Sequence, residues 1–406
     1  MSLSTLFRHT VRRRPISSLT ATVSVAAFGY ANYREWKAND DLTTIPRDHY
    51  DPDAIASYWD QRPISIMKRL MSIASGLGPV AGGYLLEFHL RPWISRSLDL
   101  EDDATTVEGK RTKQILESKL SQKLRSSLTE LGPTFVKIGQ QLSIRPDLVS
   151  PTVLYELQRL CDAVPPFADK IAMRVLAEEL LLAKGDGAGN NIMFMEKEVS
   201  DTILAVFQEI PELVASASLG QVYKAALKSN NEEAISEVAI KVQRPDILET
   251  VSLDLFLLVS YGKIVDKLCS VLTHQIPYHE IFLNGFANGA FMELNYIQEA
   301  ENQMYFRKEL HSRFHGENTT SSSVKYNISF PFIRRTSRRK NVEKIIVPEV
   351  HERYTTQRIL VSEWIDGTPL ARAPPEQIRE LIPIGVELFL CQLLDIGRFH
   401  ADPHPG

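Results

Sequence analysis

Two apolar runs with a period of two, one on each side of a polar turn around residues 229–231, predict a β-hairpin. In the second run Val238, Ile240 and Val242 fall on one face of the strand. Lys241 falls on the opposite face, under a loop of small residues that precedes the hairpin. The rest of the chain is organised around this lysine and its loop.

Helical periodicity dominates the remainder of the chain. Apolar residues spaced by three and four predict a helix over residues 110–131, and further helices are predicted over 247–272 and 289–303. Residues 376–396, with an apolar face, are predicted to form one helix or a pair of helices. Two further strands are predicted from apolar runs at residues 345–350 and 358–363. The elements therefore indicate a small sheet within a mainly helical chain.

The composition is that of a globular protein, with 406 residues of which 44% are hydrophobic and 24% charged. The net charge of -4 argues against a nucleic-acid-binding protein, because such domains are strongly basic. Cys161, Cys269 and Cys391 are far apart and have no metal-ligand spacing, so they predict thiols in a reducing compartment.

The amino-terminal segment differs in composition from the rest of the chain. No acidic residue precedes Glu35, whereas Arg8 and the arginines at 12–14 precede a short apolar run that contains Ser and Thr. This composition is typical of an organelle transit sequence, and a basic tail is the alternative. The run is too short for a membrane span, which needs about 20 mainly apolar residues.

Lys241 lies in the string VAIK, after a loop that contains glycine. In kinases a lysine in this context holds the nucleotide phosphates and pairs with a glutamate on a later helix. A strand lysine that extends to solvent is the alternative interpretation.

A second kinase-like string, GRFHADPHPG, occupies residues 397–406. His400 and Asp402 have the spacing of a kinase catalytic loop, in which the aspartate accepts the proton of the attacked hydroxyl group. With this string and its alanine-rich loop, the chain resembles the UbiB-type atypical kinases, also called aarF-domain or ADCK kinases. The resemblance implies a fold, a set of site residues and a function for this chain.

The resemblance assigns the nucleotide site to two segments. The Ala/Ser loop matches the family at Ala215, Ala217, Ser218 and Gly220, where its backbone amides are expected to face phosphates. Alanine and serine avoid positive φ, so the loop is stiffer than a glycine-rich one, and altered nucleotide preference or slow turnover is the hypothesis. The backbone from Glu363 to Ile365 is expected to contact the adenine edge.

The family signature KxGQ is matched by Lys137, Gly139 and Gln140. In the family this segment folds over the nucleotide site and blocks large protein substrates. Without the resemblance, Lys137 would be interpreted as a charge on the surface of a helix.

Glu299, in the string EAEN, is the predicted partner of Lys241. The family has an ExD pattern just before this glutamate, and here Glu293 is followed two residues later by Asn295. The asparagine keeps a hydrogen-bonding side chain and removes a charge. Any role of that carboxylate in the regulatory segment or in cation binding is therefore in question.

The fold class that the resemblance predicts is α+β: a protein-kinase-like fold with a β-rich amino-terminal lobe, the start of a helical lobe and a helical amino-terminal extension. The predicted domains are a transit segment at 1–34, a leader and linker at 35–104, the extension with KxGQ at 105–198, the kinase-like lobe and hinge at 199–370, and the beginning of the helical lobe at 371–406.

The cofactors that the resemblance predicts are ATP and Mg²⁺. In the family a cation-binding asparagine and a magnesium-binding aspartate follow the catalytic string, and neither is present before Gly406. No metal ligand is therefore assigned, and we expect the native chain to continue.

The predicted function is that of an atypical kinase or ATPase in an organelle, linked by the resemblance to quinone or prenyl-lipid metabolism. A catalytically inactive nucleotide- or lipid-binding regulator is the alternative, and an inert truncated product is a third. Residues 48–69 resemble plastid and cyanobacterial-type members, which favours the plastid over the mitochondrion. A basic run at residues 334–340 is either a solvated loop or a site of peripheral membrane association.

Overall fold

Four antiparallel strands in the order β1-β2-β3-β4 form the sheet of the protein, as seen in a computed structural model. The strands are β1 (Glu212–Ser216), β2 (Gly220–Leu227), β3 (Ser236–Gln243) and β4 (Ile359–Glu363). The structure describes residues 29–38, 44–91, 93, 107–162, 165–183, 196–228, 236–314, 345–368 and 370–399.

Helices precede, separate and follow these strands along the chain. In chain order they are α1 (Pro52–Asp60), α2 (Pro63–Tyr84), α3 (Val107–Leu131), α4 (Pro133–Ser143), α5 (Pro151–Gln158), α6 (Asp169–Ala183), α7 (Glu196–Leu204), α8 (Ile247–Leu272), α9 (His279–Met292), α10 (Tyr296–Phe314) and α11 (Pro375–Leu390). Residues 29–38 are also helical, and π-helical turns extend α2 over Leu85–Leu90 and α11 over Cys391–Ile396.

The described residues group into two units, each with its own core. The first unit contains the residues up to Val164 together with Asp246–Met292. The second contains Pro165–Pro245 and the residues from Glu293 onwards. The sheet, α6, α7 and α10 belong to the second unit.

The core of the first unit lies between α3, α4 and α5. It consists of Leu128, Leu131, Phe135, Val136, Val153, Leu157 and Leu160. Gly132 separates α3 from α4 with a φ of +100°, a conformation that residues with a Cβ rarely adopt, and Pro133 then starts α4. Ser150 caps α5 by accepting a hydrogen bond from Val153 N.

A buried ion pair joins α2 to α8 in the first unit. Arg69 Nε lies 2.6 Å from Asp254 Oδ1, and Arg69 Nη2 lies 2.8 Å from Asp254 Oδ2. Asp254 is only 1% exposed. Burial raises the pKa of Asp254, and Arg69 opposes that rise.

The core of the second unit lies against one face of the sheet. Val238, Ile240 and Val242 are fully buried in it, together with residues of α6 and α7 such as Leu176 and Ile203. Ala239 and Lys241, on the other face, are only half-buried. The predicted faces of this strand are therefore confirmed, while the turn at 229–231 lies outside the described residues.

The predicted strand at residues 345–350 is wrong. Only Val350 forms a bridge, to Ser362, and the residues before it are irregular. Pro348 has no N–H to donate, and its carbonyl oxygen accepts a hydrogen bond from Gln303 of α10.

The predicted continuous helix over residues 289–303 is also wrong. α9 ends at Met292, and α10 begins at Tyr296. The backbone at the break is satisfied from elsewhere, because Gln243 Nε2 donates to Leu294 O at 2.7 Å and Asn295 caps α10.

None of the helices that the structure describes combines the length and the apolar character that a membrane crossing requires. Residues 1–28 of the predicted transit segment at 1–34, the basic run at 334–340, and the pair His400 and Asp402 lie outside the described residues.

Candidate nucleotide site

Lys241 and Glu299 form an ion pair at the centre of the candidate site. Lys241 Nζ lies 2.9 Å from Glu299 Oε1 and 2.8 Å from Oε2, so the ammonium group contacts both carboxylate oxygens. The two side chains are 29% and 41% exposed. The pair is therefore held in a defined geometry and remains accessible to a ligand.

The sheet places Lys241 in this position. β3 is flanked on both sides, with Lys241 opposite Val222 of β2 and Leu360 of β4. The buried neighbours Ile240 and Val242 hold the strand against the core. The direction of the lysine is thus fixed by the pleat, which sends alternate side chains to opposite faces.

The first turn of α10 places Glu299. Asn295 Oδ1 accepts hydrogen bonds from Ile297 N at 3.1 Å and from Gln298 N at 3.4 Å, which is the geometry of a helix cap. Asn295 O also accepts from Glu299 N at 3.2 Å. Asn295 therefore acts through the start of the helix that carries the predicted partner of Lys241.

Tyr296 lies beneath the ion pair and was not predicted from the sequence. Lys241 Nζ is 4.6 Å from the centroid of the Tyr296 ring, a cation–π distance. Tyr296 is fully buried, and its hydroxyl group has no hydrogen-bond partner among the described residues. Burial, reinforced by the negative charge of Glu299, raises the pKa of this phenol. Its position three residues before Glu299 on the same helix is the only sequence signal for this role.

The Ala/Ser loop is the turn between β1 and β2. Ala215 lies in β1, and Ala217 N donates to Gly220 O at 2.8 Å to close the turn around Ser218. A Cβ at Gly220 would lie 2.3 Å from Val242 O and 3.0 Å from Tyr296 Oη. The close approach of β3 therefore requires glycine at this position.

Arg244 is a second residue that sequence reasoning missed. It follows β3 directly, and its guanidinium group donates hydrogen bonds to Ala217 O at 3.2 Å and to Ser218 O at 3.1 Å. It is the first residue after the predicted lysine strand, but no local pattern indicates that it contacts the loop.

The predicted adenine-contacting segment lies at the end of β4. Glu363 N donates to Glu349 O at 2.7 Å, and Trp364 N donates to Glu237 O at 3.0 Å. These two N–H groups are thus occupied within the protein. Ile365 follows the strand and is 37% exposed.

The residues predicted for regulation divide between the two units. Lys137, Gly139 and Gln140 lie on α4 of the first unit, and Glu293 lies in the turn before α10 of the second. Gly139 is buried, and a Cβ there would lie 2.4 Å from Leu160 Cδ1. The glycine of the KxGQ signature therefore permits close packing within the first unit.

A strand lysine paired with a helix glutamate, next to a tight loop of small residues, is the arrangement of a protein-kinase-like amino-terminal lobe. The family model for the ABC1 atypical kinase-like domain matches residues 190–317 and 332–406. The chain belongs to this family. The predicted aarF-type family and the kinase-like α+β fold class are therefore confirmed.

Individual relatives agree with this assignment. "Protein ACTIVITY OF BC1 COMPLEX KINASE 3, chloroplastic" of Arabidopsis thaliana is 31% identical over 363 residues, which cover 88% of this chain and 40% of the relative. An uncharacterized protein of Synechocystis sp. is 34% identical over 362 residues, 88% of this chain and 42% of that protein. "Protein ACTIVITY OF BC1 COMPLEX KINASE 1, chloroplastic" of Arabidopsis thaliana is 31% identical over 299 residues, which cover 70% of this chain and 35% of the relative.

The predicted plastid location is confirmed, because two of these three relatives are chloroplast proteins. The chain spans less than half the length of each of the three relatives. A kinase-like domain uses a nucleotide and a metal ion in general. Within the part of the chain that the structure describes, no group of three or more His, Cys, Asp or Glu side chains is arranged to hold a metal ion.

Proposed function

We propose that this chain forms the nucleotide-binding part of an ATP-dependent atypical kinase or ATPase of the plastid. The observation that carries the proposal is the ion pair between Lys241 and Glu299, at 2.8 and 2.9 Å, on the accessible face of the sheet. Lys241 would hold the phosphates, and Glu299 would orient Lys241. Asp402 would act as the base or orient the attacking water.

The chemistry of the pair supports this assignment. An ammonium group is a compact charge that binds phosphate oxygens, and contact with both oxygens of one carboxylate fixes its position. The Tyr296 ring also makes a cation–π contact with this ammonium group, with Lys241 Nζ 4.6 Å from the ring centroid. The lysine is thereby held in place before a ligand arrives, which reduces the entropy lost on binding.

The remaining predicted residues have subordinate roles in the proposal. The turn from Ala215 to Gly220 would cover the phosphates, and Ile365 with the carbonyl of Glu363 would meet the adenine. Lys137, Gln140 and Glu293 would each have a regulatory role, and large protein substrates would be excluded as in the family. The substrate would then be a small molecule, and we place it among quinones or prenyl lipids at a membrane surface.

Mg²⁺ would neutralise charge on the transferred phosphoryl group when bound. Among the described residues, no group of three or more His, Cys, Asp or Glu side chains is arranged to hold it. The proposed steps therefore concern only nucleotide binding, orientation of the phosphates by Lys241, and proton transfer at Asp402.

A neutral asparagine at position 295 favours a second candidate function. Asn295 serves as a helix cap, which requires a hydrogen-bond acceptor and no charge. If the carboxylate of the family pattern is needed for turnover, the protein would bind nucleotide and regulate a biosynthetic complex without catalysis.

Magnesium-dependent ATP hydrolysis by the native protein separates the two functions. A kinase or ATPase is expected to hydrolyse ATP, to lose that activity in Asp402→Asn, and to respond to vesicles that contain a prenylquinone. Tight ATP binding with no hydrolysis would instead identify the regulator. If vesicles that contain the quinone and vesicles that lack it give the same rate of hydrolysis, the proposed substrate class is contradicted.

A further inference from the structure

Arg244 donates hydrogen bonds to three successive carbonyl groups of the Ala/Ser loop. Its backbone N–H donates to Leu219 O at 2.9 Å. Its guanidinium group donates to Ser218 O at 3.1 Å and to Ala217 O at 3.2 Å. The turn is therefore held by the backbone and the side chain of one residue.

The same guanidinium group also contacts residues before the turn. Arg244 Nη2 donates to Pro165 O at 2.7 Å and to Ser216 Oγ at 3.1 Å, and the group lies 5.3 Å from the centroid of the Phe167 ring. Phe167 is itself held by two hydrogen bonds of 3.3 Å to the side chain of Gln221, which is fully buried. Arg244 is thus a rigid support for the loop.

This support determines where the loop N–H groups point. In a trans peptide the carbonyl of one residue and the N–H of the next point in opposite directions. Because the carbonyls of Ala217 and Ser218 face Arg244, the N–H groups of Ser218 and Leu219 point away from it. Within the described residues neither N–H group makes a hydrogen bond. Successive free N–H groups in a turn form a site for anions.

We propose that Arg244 is a positioning residue that holds the Ala/Ser loop so that the N–H groups of Ser218 and Leu219 receive the phosphates of the nucleotide. This inference rests on the proposed function. Only arginine offers several donors in a planar fork, so a lysine would keep the charge and lose most of the carbonyl contacts.

The test compares the affinities of the full chain for ATP and for adenosine, which lacks phosphates. The variants are Arg244→Lys and, as a matched control, Arg358→Lys. Arg358 is also a half-buried arginine of the second unit, and it contacts Glu178 and Glu179 of α6. Loss of hydrogen bonds to a charged phosphate is expected to weaken ATP binding by about tenfold in Arg244→Lys. Adenosine binding is expected to stay unchanged, and Arg358→Lys should bind both ligands like the wild type.

Hydrogen exchange gives a readout that does not depend on the ligand. The amide of Ala217 donates to Gly220 O at 2.8 Å and closes the held turn, so it should exchange faster in Arg244→Lys and at the wild-type rate in Arg358→Lys. Unchanged exchange together with an unchanged ratio of ATP to adenosine affinity overturns the role of Arg244. An equal loss of both affinities also overturns it, because that result indicates general loosening. A wild-type protein that binds ATP no better than adenosine overturns the proposed function itself.

Discussion

Tyr296 links the packing of the second unit to the candidate site. Its ring contacts the ammonium group of Lys241, and its hydroxyl oxygen would lie 3.0 Å from a Cβ at Gly220. The hydroxyl group is buried without a partner among the described residues, and such a group costs the desolvation energy that no hydrogen bond returns. The ring contributes the packing and the cation–π contact, while the oxygen adds only a cost.

We therefore expect Tyr296→Phe to leave the stability of the protein unchanged or to raise the free energy of unfolding by about 1 kcal/mol. Chemical denaturation measures this change, and nucleotide affinity should be retained because the aromatic face remains. Tyr296→Leu is the control that removes the ring, and it should weaken both stability and binding. A strong loss of stability in Tyr296→Phe would show that the hydroxyl group has a partner.

Helix α10 shows how an element positions a functional residue. Its cap, Asn295, fixes the first turn, and that turn carries Glu299. A buried hydrogen bond from Gln243 to Leu294 O, the residue just before the cap, ties the start of the helix to the end of β3. The strand with the lysine and the helix with the glutamate are therefore joined at their adjacent ends.

Removal of the cap should affect both stability and binding. Asn295→Ala is expected to lower the free energy of unfolding by about 1 kcal/mol and to weaken nucleotide binding, because the turn that carries Glu299 loses a fixed start. Asn295→Asp keeps an acceptor and adds a favourable charge at a helix amino terminus, so it should match the wild type or exceed it. If both variants are destabilised equally in thermal unfolding, Asn295 does not act as a cap.

Local pattern was sufficient for the strand faces, and the family resemblance supplied the Lys241–Glu299 partnership. Alternation along β3 depends only on the pleat, and the two charged residues belong to motifs with known spacing. The break between α9 and α10 was missed because the backbone there is satisfied by Gln243, about fifty positions earlier in the chain. Arg244 and Tyr296 were missed for the same reason, since their roles arise from contacts with Pro165, Ala217 and Gly220.

At the scale of the whole molecule, the first unit is stabilised by a buried ion pair. The first unit buries the carboxylate of Asp254 against Arg69, as well as its apolar core. An ion removed from water in this way needs its counter-charge, because an unpaired buried charge is strongly destabilising. The stability of the first unit should therefore depend on Arg69 and on pH.

Arg69→Met is expected to lower the free energy of unfolding by about 3–5 kcal/mol at neutral pH. Burial already raises the pKa of Asp254, and loss of Arg69 raises it further. A carboxyl group with a raised folded-state pKa favours the folded state most below its unfolded pKa, and this contribution is lost as the pH rises through the folded pKa. The cost should therefore be smaller at about pH 5 than at about pH 8.

Denaturant unfolding at the two pH values measures this difference. Arg91→Met is the control, because Arg91 pairs with Glu87 on the surface of the same unit at 2.9 Å. Surface pairs contribute about 0–1 kcal/mol, so this variant should show a small change at both pH values. A cost for Arg69→Met that is the same at both pH values would mean that the charge on Asp254 does not depend on Arg69.

Whether Lys241 binds the nucleotide is decided by the dissociation constant of ATP for the wild type, Lys241→Met and Lys170→Met. Lys170 is a lysine of the same unit that pairs with a glutamate at the same distance, 2.8 Å, on an exposed surface. If Lys241, oriented by Glu299, holds the phosphates, Lys241→Met should bind ATP at least about tenfold more weakly, and Lys170→Met should bind it like the wild type. Equal ATP affinity in all three folded proteins would show that Lys241 does not contact the nucleotide.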